Sequence, residues 1–110
     1  MATKSEILQG TLDLMVLKTL DAMGPLHGYG IALRLEQLSD QILQVNQGTV
    51  YASLVRLVQK GWIRAEWKAS DLGRNAKFYA LTREGRKQLE RELKTWERLS
   101  SAVRLLIESA

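Results

Sequence analysis

At 110 residues, 45% hydrophobic and 25% charged, the chain can bury one core but not two. It has no cysteine, which excludes a disulfide framework, a zinc finger and a thiol nucleophile, and its single histidine cannot build a histidine-based metal site alone. The net charge of +4 is unevenly placed: residues 56–91 carry ten basic and four acidic groups against three and five in residues 1–55, so the middle of the chain presents either a solvated basic face or a surface for a polyanion.

No secretion signal opens the chain and no apolar run reaches the roughly eighteen residues of a membrane span, so a cytoplasmic location is expected. Met1 to Glu6 reads as a loose arm. From Ile7 to Met23, Leu8, Leu12, Met15, Val16, Leu20 and Met23 recur at helical spacing, and Gly24-Pro25 ends the segment. Leu14 and Leu17 widen the apolar stripe, so this helix packs on two sides, the second being a candidate for a partner subunit.

Pro25 to Gly30 is a turn leading into a second helix that runs to about Leu38, with Ile31, Leu35 and Leu38 inward. Gly28 and Gly30 each cost about 1 kcal/mol against alanine inside a helix, so something requires close approach there. That is either tight packing against a neighbour or a helix start that offers its amides, with the Tyr29 hydroxyl, to a phosphate. His27 reads as a turn or capping residue, since no second ligand or nucleophile is spaced to join it.

Val45 to Ile63 then holds one bounded amphipathic helix. Val50, Leu54, Leu57 and Val58 face inward, and Gln47, Thr49, Tyr51, Ser53, Arg56 and Lys60 share the polar, basic remainder. Asn46 is its N-cap, and Gly61 supplies the left-handed stop. Beyond it, Ile63, Ala65 and Trp67 alternate with Arg64, Glu66 and Lys68 as in a half-buried strand, and Lys77 to Leu81 forms a second strand after a tip at Ala69 to Ala76. Arg74 and Lys77 flank that tip, which is either a plain surface turn or a wing touching nucleic-acid backbone.

The last segment is one helix capped by Thr82. Its positions Leu89, Leu93, Trp96, Ser100, Val103, Ile107 and Ala110 alternate steps of four and three, a seam of period about 3.5 broadened by Leu99 and Leu106. At about 1.5 Å per residue it spans about 40 Å, too long to be covered by so small a domain. It therefore packs either within the chain or, as expected here, on the same helix of a second copy. The fold expected is mainly α with a small β-hairpin: a winged helix-turn-helix over residues 1–82 and a C-terminal dimerisation helix over 83–110.

Three stretches, GPLHGYGI from Gly24, NQGTVYASLVRLVQKGWI from Asn46 and GRNAKFYALTREGRKQL from Gly73, resemble the PadR family of bacterial transcriptional regulators over roughly residues 7–90. The long terminal helix is similar to the family's short, single-helix type. The resemblance implies a winged-helix homodimer that binds a palindromic operator and represses, with release by a small molecule. It implies that Tyr29, the Thr49 to Ser53 turn with Tyr51, and Arg74 and Lys77 approach DNA, and that the first and last helices form the dimer. The chain departs from the family pattern at Ala52, where many members carry proline, and at Val58, where many are acidic.

On this reading Gln47, Thr49 and Ser53 face base edges, whereas Tyr29, Tyr51, Arg56, Lys60, Arg74 and Lys77 hold phosphate. Leu12, Met15, Leu89, Leu93, Trp96, Leu99, Val103 and Ile107 form the dimer contact. Trp96, near the dyad, is either interface packing or half of a pocket for a small aromatic effector. No cofactor, metal or catalytic residue is expected. A winged helix serving only as a protein-interaction module is the rival reading; an enzyme is disfavoured because Asp71, His27 and the serines form no nucleophile elbow, phosphate loop or carboxylate pair.

Overall fold

A computed structural model describes residues 4–69 and 73–109, with residues 4–9 given by their backbone alone. The elements run α1 (Lys4–Met23), β1 (Leu26–His27), α2 (Gly28–Leu38), α3 (Gln47–Gln59), β2 (Ile63–Ala69), β3 (Asn75–Leu81) and α4 (Arg83–Glu108). The mainly α winged-helix architecture is as expected. α1 begins at Lys4, inside the segment read as an arm. Residues 1–3, the tip at 70–72 and Ala110 of the seam lie outside the described residues, as does the side chain of Leu8.

Boundaries follow local chemistry. Asn46 is extended, and its Oδ1 accepts the Thr49 N–H at 2.8 Å, opening α3; Gly61, at φ +76°, turns the chain out of it. Thr82 Oγ1 accepts the Gly85 N–H at 2.9 Å and donates to the Gly61 carbonyl at 2.7 Å, so one hydroxyl caps α4 and ties it to the end of α3. His27 Nδ1 accepts the Gly30 N–H at 2.9 Å and caps α2.

The sheet is antiparallel in the order β1-β3-β2. β2 and β3 form the hairpin, with Ile63 opposite Leu81 and Ala69 opposite Asn75. The two-residue β1 was not expected; it pairs Leu26 with Tyr79 and His27 with Phe78, which fastens the start of α2 to the wing. The core gathers Leu12, Val16, Leu17 and Leu20 of α1, Ile31 and Leu35 of α2, Val50, Leu54 and Leu57 of α3, Ile63, Tyr79 and Leu89. Four residues expected inward are exposed: Met23 at the end of α1, Leu38 at the end of α2, Val58 on α3 and Trp67 on β2. Each lies past the edge of the core, where helical or strand periodicity continues but nothing is left to cover it. Among the described residues no helix is long and apolar enough to cross a membrane.

Candidate nucleic-acid interface

The N-terminal half of α3 is the centre of the site. Gly28 opens α2 directly beneath Tyr51: a Cβ on Gly28 would lie 3.1 Å from the Tyr51 ring, so glycine is what lets the tyrosine lie across the helix start. This is the packing account of the glycine, and His27 already occupies the Gly30 amide that the phosphate account would have left open. Tyr51 also neighbours Tyr79 of β3, whose phenol pKa is raised by burial and then by the Tyr51 oxygen. Lys77 Nζ stands 5.8 Å from the centre of the Tyr79 ring. Tyr29 stacks on His27 at 6.3 Å, and His27 meets Phe78 edge-on at 5.7 Å. An aromatic chain thus joins the start of α2, the first turns of α3 and the wing, bringing Tyr29, Tyr51 and Lys77 together while leaving both tyrosines about half exposed.

Gln47 is exposed at the first position of α3. Thr49 is half-buried and its hydroxyl donates to Asn46 Oδ1 at 3.0 Å, which leaves it acceptor capacity only. Arg74 is exposed just before β3. Arg64 and Lys68 of β2 both lie near Glu66, at 3.9 and 3.6 Å, so part of the wing's charge is internally offset.

Two expected contacts are corrected, and a third lies apart from the rest. Ser53 has no exposed surface; its Oγ donates to Asp13 Oδ1 at 2.6 Å, in the contact between α1 and α3. Arg56 grips the same carboxylate, Nη2 to Oδ1 at 2.7 Å and Nε to Oδ2 at 3.2 Å, so its charge is spent inside the protein rather than on phosphate. The hydrogen bond to Asp13 raises the Arg56 pKa, and the carboxylate charge adds to it against partial burial. Lys60 lies at the far end of α3, about 20 Å from Gln47 at 1.5 Å per residue, with its ammonium 4.8 Å from the centre of the Trp62 ring. It does not join the cluster.

The dimer set divides in the same way. Leu12 and Leu89 are 2% and 3% exposed in the protomer's own core, and Met15 and Leu93 pack half-buried against it. Trp96, Leu99, Val103 and Ile107 are exposed along the outer part of α4, together with Leu106.

The sequence profile of the transcriptional regulator PadR-like family matches residues 16–91, which take in the helix-turn-helix, the wing and the start of α4. The chain belongs to the PadR-like family. It is accordingly a DNA-binding transcription regulator and not an enzyme. A PadR-like transcriptional regulator from Bacillus cereus is similar in structure, with a TM-score of 0.80 at 29% identity over 94% of this chain and 97% of that one. Protein X of Lysinibacillus sphaericus is 27% identical over 105 residues, 96% of this chain and 95% of its own length. A 37.1 kDa protein in transposon Tn4556 of Streptomyces fradiae is 40% identical over 82 residues, 74% of this chain but 22% of that protein.

In this PadR-like chain the outward stripe of α3 contains two residues not expected to face DNA, Ala52, noted only as a departure from the family pattern, and Val55, which sequence reasoning passed over. Ala52 and Val55 are exposed beside Gln47, Gly48 and Tyr51, so the face expected to be polar and basic is largely small and apolar. The signal lay in what remains once Ser53 and Arg56 turn inward: positions 48, 52, 55 and 59 then form the outer row at helical spacing.

Proposed function

We propose that the protein acts in the cytoplasm as a homodimeric repressor that grips a palindromic operator. The N-terminal halves of two α3 helices enter successive major grooves about 34 Å apart. The observation that carries this reading is the cluster of Tyr29, Tyr51 and Lys77 around the outward first turns of α3, in a chain of the PadR-like family. Gln47 offers an amide to adenine, and Ala52 and Val55 offer apolar surface to thymine methyls. Tyr29, Tyr51, Arg74 and Lys77 hold the backbone on either side.

Residues 83–110 serve dimerisation through the outer seam. Burial of each large side chain there contributes about 1.5–3 kcal/mol, which supports pairing of Trp96, Leu99, Val103 and Ile107 with their counterparts. Two Trp96 indoles near the dyad offer flat faces to a small aromatic effector, whose binding would shift the separation of the recognition helices.

The test is fluorescence anisotropy against a duplex selected by the protein from a random pool, over a range of salt. Four cations from a dimer, Arg74 and Lys77 twice, give a slope of log affinity on log salt of about −3.5. Arg74→Ala should weaken selected and random duplexes alike and flatten the slope. Affinity independent of salt would favour the protein-interaction reading instead.

A further inference from the structure

We infer that Asp13, Ser53 and Arg56 form a joint that sets the rotation and slide of the recognition helix, making Asp13 a positioning residue for base reading although it touches no DNA. The inference rests on the DNA-binding reading of α3 and deepens it.

Ser53 and Arg56 stand three residues apart, on one face of α3, and both donate to the one carboxylate of Asp13 at 2.6, 2.7 and 3.2 Å. Asp13 is 7% exposed, and among the described residues no buried side-chain polar atom lacks a partner, so the cluster is closed. Cohesion alone does not require it. Apolar residues of similar volume hold two helices together as well or better, because desolvating an ion pair offsets much of its attraction. What they do not supply is direction, since apolar contact is non-directional, whereas a guanidinium fork and a hydroxyl on one carboxylate fix angle as well as distance.

The position of the joint gives that direction its use. α1 packs against α2, α3, β3 and α4, so it is the common reference for the wing, the recognition helix and the outer helix. Ser53 and Arg56 directly follow Ala52 and Val55, so turning α3 on the joint swings the reading row by the same angle. With side chains reaching about 6 Å from the axis, a 20° turn moves their tips by about 2 Å, several times the roughly 0.5 Å that an aligned contact tolerates.

The experiment compares affinity for the selected duplex with affinity for random duplex in the full-length parent and in Ser53→Ala, Arg56→Lys and Asp13→Asn. Ser53→Ala keeps the ion pair and the charge count; Arg56→Lys keeps the charge and loses the fork. Either decides the matter if Asp13→Asn fails to fold. The expected result is a fall of about tenfold in selected-duplex affinity, the order of one misaligned base contact. Random-duplex affinity should stay within about twofold, with the salt slope unchanged. Variants that fold and keep the parent's ratio, or that lose both affinities in parallel, overturn the inference and reduce the cluster to a structural contact. A parent that enriches no duplex at all removes the DNA-binding reading first, an outcome distinct from either.

Discussion

On the proposed function, Val55 is the residue that most directly tests how α3 reads an operator. It is 55% exposed on a helix whose polar neighbours Ser53 and Arg56 are drawn inward, so a branched apolar group is offered where a base edge would lie. Burying one methyl is worth about 0.8 kcal/mol, or about fourfold in affinity. Replacing the thymines of a selected operator by deoxyuridine, one at a time, should cost that factor at one position per half-site, and Val55→Ala should abolish the difference. Gly85 makes a prediction of another kind. A Cβ there would overlap the Trp62 carbonyl oxygen, so the first turn of α4 can lie against the connection between α3 and β2 only on a glycine. Gly85→Ala gains about 1 kcal/mol in helix propensity but forces two backbones apart, and a net loss of about 2 kcal/mol or more is expected in urea unfolding.

At the scale of elements, capping was the legible part. Asn46, Gly61 and Thr82 act by local chemistry, so their sequence positions suffice to locate the ends of α3 and the start of α4. Asn46→Ala is expected to cost about 1 kcal/mol, and Thr82→Ala somewhat more because its hydroxyl serves both Gly85 and Gly61, which thermal unfolding at matched pH would register. Elements and contacts defined by distant partners were not legible. β1 is two residues long and exists only because Tyr79 and Phe78, about fifty residues later, pair with it; two residues carry no period to read. Ser53 and Arg56 looked solvent-facing because a polar residue at helical spacing usually is, and the carboxylate that draws them in lies 40 and 43 residues earlier. Tyr29, Tyr51 and Lys77 were legible as candidates, but their meeting through Gly28 and Tyr79 required the folded chain.

The whole molecule extends over 58 × 28 × 23 Å, and its long axis reflects a helix that outruns the body it is anchored to. The last core side chain in the chain is Leu89, with Leu93 packed beside it; beyond that point α4 contributes Trp96, Leu99, Val103, Leu106 and Ile107 to no core within the chain. On the proposed pairing through α4, folding and dimerisation are therefore separable. A chain ending after Leu93 keeps every core contact described and should unfold cooperatively near the parent's midpoint at low concentration, while sedimentation should show a monomer where the proposed pairing makes the parent a dimer. Its DNA binding should change in a defined way: with two cations in place of four the salt slope should halve to about −1.8, and the advantage of two half-sites on one duplex should vanish. A truncated chain that still sediments as a dimer would place the pairing surface on α1 instead, where Leu14 and Met15 are only half-buried. The two recognition helices would then be spaced by the body of the protein rather than by its outer helix.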